Sequence, residues 1–274
     1  MQAVCERLRL MYHIAAGIRW SAQVSDRIES IMLEFFEPLE LLGPADPAST
    51  TRALSRVALS DDAVVVDVGC GTGRQTLQLL QETPAKVVAT DLHRALLDQL
   101  RERAAELGFA DRLRVDQADM NALPFAPGSI DLLWCEGAIY NIGYEQGLRV
   151  WLPLLRPGGY LCVTDAAYFV DAPPKVVREF WEAEYPAITT CHRLEQLARD
   201  CGYTIVESFR LPGEAWEAYY GPVEQRIDAL DAQWDADTER RELLAAMRHE
   251  VDVFRRHGDT YGYSMLLLQK PVDR

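Results

Sequence analysis

Residues 63–73, Ala63-Val64-Val65-Val66-Asp67-Val68-Gly69-Cys70-Gly71-Thr72-Gly73, constrain the fold more than any other stretch of this chain. An unbroken β-branched run suits a strand buried on both faces, the situation inside a parallel sheet. Glycines at alternate positions let the backbone turn sharply and approach a ligand with no Cβ in the way. A helix is predicted to start at once, so its unpaired N–H groups would face that ligand. By itself the turn implies only a nucleotide-like ligand. The dinucleotide fingerprint GxGxxG needs a further glycine at position 74, and Arg74 stands there, which counts against a nicotinamide cofactor.

The surrounding pattern supports a doubly wound α/β sheet. Helices are expected over 26–42 and 48–59, separated by the Gly-Pro-rich break at 43–47. Strand 63–68 is followed by helix 73–81, strand 86–90, helix 94–107 and strand 112–116. Then come strand 130–135, helix 145–155, strand 159–165, helix 193–201, strand 203–211 and a last strand over 261–269. The stretch 212–258 does not fit a hairpin. Val223, Ile227, Leu230 and Trp234 share one helical face, and Leu244, Met247, Val251 and Phe254 share another. This predicts a helical insertion, acting as a lid or as a homodimer contact. Residues 1–47 read as an N-terminal helical extension and 48–274 as the main domain.

Composition narrows the partners. The net charge of −14 repels phosphate backbones, so a nucleic-acid partner is not expected. None of the six cysteines forms a CxxC pair, and His249 and His257 lack partners at metal-ligand spacing, so no metal is expected. A reduced, cytoplasmic protein is the simplest account. No apolar run approaches the ~20 residues of a membrane span, and residues 1–16 lack the features of a signal peptide.

Two further acids follow strands. Asp91 ends strand 86–90, about 18 residues after Gly73. A carboxylate there can accept hydrogen bonds from both ribose hydroxyls; it can also cap helix 94–107. Asp119-Met120 follows strand 112–116, where an acid can meet an exocyclic amine and a thioether can pack on a purine.

With these elements in this order, the chain resembles class I S-adenosylmethionine-dependent methyltransferases. The matching residues are VVVDVGCGTG (64–73), ATD (89–91), QADMNALPF (117–125), IDLLWCEGA (130–138) and LRPGGYLCVTD (155–165). The match covers roughly residues 48–211 and extends to the terminal strand. EGAIYNIG (136–143) is similar to bacterial stand-alone small-molecule methyltransferases loosely grouped with the ubiquinone/menaquinone enzymes. The resemblance implies a Rossmann-like seven-stranded sheet in order 3-2-1-4-5-7-6 with strand 7 antiparallel. It implies S-adenosylmethionine as cofactor and S-adenosylhomocysteine as product. Gly69, Cys70, Gly71 and Gly73, with Asp67 before them, would hold the methionyl part. Asp91 and Leu92 would take the ribose, and Asp119 and Met120 the adenine. The Asn-Pro-Pro-aromatic element of many nucleic-acid and protein amino-methylases is absent; Glu136-Gly137-Ala138 stands in its place.

The acceptor would then be a small molecule, with an aromatic or cationic one suggested by the acids and rings near the site. Glu136 could hold a cationic acceptor or the cofactor's ammonium, or simply face solvent. Tyr140 could bind the acceptor or pack on the lid. Asp165 could recognise an amine or cap a turn. His192 could serve as a base or open a helix. Trp216, Tyr219 and Tyr220 could line a pocket or pack in a core. A nicotinamide oxidoreductase and a non-catalytic adenosylmethionine-binding protein are the rival readings.

Overall fold

The computed structural model describes residues 26–36, 38–39 and 43–272. The expected extension therefore lies largely outside the described residues. What is described of it begins with helix α1 (Asp26–Phe36). The helix is described to Phe36, and parts of the rest of the expected span to 42 lie outside the described residues. Helix α2 (Pro47–Leu54) starts with Pro47 in its first turn, and Asp46 caps it by accepting from the Ser49 amide at 2.8 Å. A cap of this kind contributes about 1 kcal/mol.

The sheet follows. Strand β1 (Val64–Val68) leads to α3 (Arg74–Glu82), β2 (Lys86–Asp91), α4 (Arg94–Glu106), β3 (Leu113–Gln117) and β4 (Ile130–Cys135). Next come α5 (Tyr144–Trp151), β5 (Leu155–Tyr168), α6 (Lys175–Glu184), the two-residue β6 (Thr189–Thr190) and α7 (Cys191–Asp200). The chain continues with β7 (Thr204–Arg210), α8 (Gly213–Trp234), α9 (Thr238–His257) and β8 (Tyr261–Gln269). The order is β3-β2-β1-β4-β5-β8-β7, with β8 antiparallel to both neighbours and β6 appended to β5. Once β6 is set aside, this is the expected seven-stranded order. Helices on both faces bury it, and β1, β4 and β8 are almost wholly inaccessible.

The chain visits β2 and β3 on one side of β1, then crosses to β4 on the other. The carboxyl ends of β1 and β4 therefore flank the switch point, where open α/β sheets bind ligands.

Three differences from the sequence expectation matter. Strand β5 starts at Leu155, which pairs with Ile130 of β4, and runs past the expected 165 to Tyr168, because β8 pairs with it as far as Tyr168↔Tyr261. Helix α5 ends at Trp151 and gives way to a short 3₁₀ turn holding Pro153. Helix α6 was not expected. Its signal was present, since Val177, Phe180, Trp181 and Glu184 fall at helical spacing and are all buried.

The insertion is two long helices, α8 of 22 residues and α9 of 20. Their predicted apolar faces are buried within this single chain. Helix α1 packs against them: Phe35 meets Trp234, and Arg226 donates to the Glu34 carbonyl at 2.7 Å. Among the described residues no helix is long and apolar enough to cross a membrane.

Candidate active site

The loop after β1 is built on its glycines. Gly69, Gly71 and Gly73 all have positive φ, at 69°, 54° and 84°. Each also answers a different spatial demand. A Cβ on Gly73 would lie 2.1 Å from Leu100 Cδ1, so this glycine lets α3 and α4 close together. A Cβ on Gly69 would lie 2.5 Å from Ala138 Cβ, so that glycine lets the loops after β1 and β4 touch. A Cβ on Gly71 would meet nothing within 4 Å. The space over Gly71 is thus the open face of the turn.

Internal bonds hold the loop. The Gly69 and Cys70 amides donate to the Thr90 carbonyl at 2.8 and 3.0 Å, and the Gly73 amide to the Cys70 carbonyl at 2.9 Å. The Gly71 amide donates to Asp91 Oδ2 at 2.9 Å, while Asp91 Oδ1 accepts from the His93 amide at 2.9 Å. Asp91 therefore ties the first loop to the second and also supports the start of α4. Leu92 follows it, with its carbonyl accepting from Gln117 at 2.7 Å. Asp67 is buried and accepts from Thr76 Oγ1 at 2.5 Å, fixing α3 to β1. Burial pushes its carboxyl up to about 7 against the Thr76 bond, and the nearby Glu136 and Asp91 add to the rise.

Glu136 leaves the end of β4 on the far side of the switch point. Its Oε1 accepts from Trp134 Nε1 at 2.7 Å and from Thr50 Oγ1 at 2.9 Å; its Oε2 accepts from Gln75 Nε2 at 3.3 Å. Burial raises its carboxyl above the ordinary range despite these three donors and the nearby Arg74. Thr50 and Gln75 were missed from the sequence. Neither sits in a motif, and only the packing of α2 and α3 brings them to β4.

Met120 is buried, and its Cε lies 3.2 Å from where a Gly69 Cβ would be. Its carbonyl accepts from Trp151 Nε1 at 2.9 Å. Asp119 is exposed and accepts from the Asn121 amide at 2.8 Å, so it also caps its own turn.

A second cluster lies further along β5 and β8. Asp165 sits three residues inside the end of β5 and is buried. It accepts from Tyr185 Oη at 3.1 Å and from the Ala166 amide at 3.0 Å, and burial pushes its carboxyl up to about 7. Tyr140 packs edge-on to Tyr185, with ring centroids 6.1 Å apart, and its hydroxyl is hydrogen-bonded to Tyr263. Trp216, Tyr219 and Tyr220 are buried and pack on one another and on β8; Trp216 meets Tyr263 at 5.2 Å between centroids. The structure does not bring His192 to this cluster. It is exposed on the first turn of α7 and makes no hydrogen bond or ion pair among the described residues.

The architecture and this glycine turn agree with the matches found among known proteins. The family described as "Methyltransferase domain" matches residues 65–159, which hold β1, the glycine turn, Asp91 and Glu136. Residues 65–159 are a methyltransferase domain of the class I type. Among curated relatives, "Methyltransferase GfsG" of Streptomyces halstedii is 34% identical over 46% of this chain. This chain spans just under half of that relative's length, 46%. "Sarcosine/dimethylglycine N-methyltransferase" of Halorhodospira halochloris is 25% identical over 73% of this chain and 71% of its own. A solved structure of a "SAM-dependent methyltransferase from Geobacter sulfurreducens", in complex with S-adenosylhomocysteine, shares the fold. Its TM-score is 0.75 at 18% identity, covering 92% of this chain and 98% of that one.

S-adenosylmethionine is the methyl donor of this family. The residues of this methyltransferase fit it. The turn is open over Gly71, two acids stand at the ends of β2 and β4, and a buried thioether lies beside the turn.

Proposed function

We propose that this methyltransferase transfers the methyl group of S-adenosylmethionine to a small-molecule acceptor by in-line displacement. The observation that carries the reading is the Gly69–Gly73 turn, open over Gly71 and tied to Asp91 through the Gly71 amide. The turn takes the methionyl part of the cofactor. Asp91, each of whose oxygens keeps a lone pair beyond its backbone bond, takes the ribose hydroxyls, with Leu92 beside it. Asp119 and Met120 take the adenine. Asp67 acts through Thr76 as a positioning residue, and Glu136 receives the cofactor's ammonium from across the switch point.

The bound sulfonium is itself the electrophile, so the chain's part is alignment and exclusion of water. Alignment of this kind can supply about 7–11 kcal/mol of barrier lowering. Asp165 and Tyr140 hold the acceptor, a role supported by the burial of Asp165 and by the place of the half-buried Tyr140 beside Tyr185 and Tyr263. A buried carboxylate among rings suits a cationic or aromatic acceptor, and the likeness to a sarcosine/dimethylglycine N-methyltransferase favours an amine. His192 is given no part, since it is exposed. The insertion is read as a lid rather than a dimer contact, because its apolar faces are buried in its own chain and none of the large exposed apolar side chains lies on it.

Thermal unfolding with S-adenosylhomocysteine and with NAD tests the cofactor. At about 100 times its Kd the former is expected to stabilise by roughly 2.7 kcal/mol; stabilisation by NAD alone would overturn the reading. Asp91→Ala should weaken S-adenosylhomocysteine binding about 10- to 150-fold in calorimetry, the worth of a charge-assisted hydrogen bond. Unchanged affinity removes the ribose assignment.

A further inference from the structure

Glu250 lies on α9, in the insertion, outside every motif discussed above. It is 6% exposed, and its Oε1 accepts from Tyr220 Oη at 3.0 Å. Among the described residues no cation pairs with it, and burial pushes its carboxyl up to about 7. Its neighbours on the same helical face, Met247, Val251 and Phe254, are apolar and buried. An aliphatic residue would serve packing better, because a buried carboxylate without a counter-charge opposes folding.

A second observation points to a ligand. The Tyr261 hydroxyl is buried, has no hydrogen-bond partner, and lies within reach of the Glu250 charge. The Tyr261 ring is walled by Trp216 and Phe254, with centroids at 6.0 and 6.2 Å. Tyr140, which follows the cofactor end of β4, feels both Asp165 and Glu250. A carboxylate, an unpaired hydroxyl and aromatic faces together are the recognition set for an ammonium group.

We propose that Glu250 and the Tyr261 hydroxyl form a cation subsite beneath the helical insertion, binding the ammonium group of the methyl acceptor. Glu250 is thereby a specificity-determining residue. The inference rests on the small-molecule methyltransferase reading above and narrows its acceptor to amines.

The test uses the full chain, with and without saturating S-adenosylhomocysteine. Tetramethylammonium and 2-phenylethylamine are titrated against their neutral counterparts, tert-butanol and 2-phenylethanol, following tryptophan fluorescence and thermal shift. The cations are expected to bind saturably and at least about tenfold more tightly than the neutral compounds. Glu250→Gln should remove that preference and leave S-adenosylhomocysteine affinity unchanged, and Tyr261→Phe should weaken cation binding in the same direction. Glu250→Gln removes a buried charge, so it is expected to fold. Equal binding of neutral and cationic probes, no binding of either cation, or an undiminished cation preference in Glu250→Gln overturns the subsite. Failure of the wild-type chain to bind S-adenosylhomocysteine would instead strike the cofactor reading, through a separate measurement.

Discussion

The two halves of the proposed site are built in opposite ways. The cofactor half is backbone: three positive-φ glycines within five residues, held by amide bonds to Thr90, Cys70 and Asp91. The proposed acceptor half is side chain: Asp165 and Tyr263 come from β5 and β8, Glu250 from α9, Tyr185 from the end of α6 and Tyr140 from the loop after β4. The first half can turn as it does because of what its residues lack. The second is costly because of what its residues carry, with Asp165 and Glu250 buried and free of ion pairs among the described residues. Substitutions in the first half should therefore harm folding or cofactor binding. Those in the second should spare folding and harm acceptor use.

Gly73→Val should break the comparison hardest. Left-handed backbone and a Cβ inside Leu100 together should cost about 2–5 kcal/mol, read as a lower urea midpoint. Gly71→Ala carries the backbone strain without the clash, so its stability loss should be nearer about 1–2 kcal/mol. It should nonetheless abolish measurable S-adenosylhomocysteine binding, since the new methyl occupies the open face; retained binding would show that the cofactor lies elsewhere.

Acidity sharpens the other side. Asp67, Asp165 and Glu250 have carboxyls raised to about 7 by burial, above their unfolded values. The folded chain thus holds protons that the unfolded chain has released, and stability falls as pH rises from about 4 to about 7. The cofactor-free protein should melt several degrees higher at pH 5.5 than at pH 8, at roughly 2–4 °C per kcal/mol for a chain of this size. Asp165→Asn should flatten that profile, keep S-adenosylhomocysteine affinity and raise the acceptor KM; a lowered melting temperature at pH 8 would contradict the account. The smallest effect is expected from Tyr185→Phe. It loses one hydrogen bond to Asp165, about 0.5–1.5 kcal/mol, and should weaken acceptor binding without touching the cofactor.

The cofactor half was legible in the sequence because its information is local. A β-branched run, alternate glycines and an acid at the next strand end are consecutive or nearly so, and each states a backbone requirement. Asp91 supports the start of α4, as one reading expected, and also braces the glycine turn. The strand order was what the family resemblance implied, and β8 was placed to the residue. Strand β5 was underestimated, because its last residues owe their pairing to β8, distant in sequence. His192 shows the limit of type-based guessing, since a histidine's chemistry says nothing about whether it faces a site or solvent.

The sequence by itself determined the doubly wound sheet, the glycine turn and the acids that end β2 and β4. All three are set by the period of apolar residues and by the few residues able to adopt left-handed backbone. Only the tertiary structure decided that Thr50 and Gln75 hold Glu136, that Asp67 anchors α3, and that the Glu250 charge comes within reach of Tyr261. Those contacts join residues far apart in the chain whose spacing carries no period. Which of them meet is fixed by how the helices and β8 pack on the sheet.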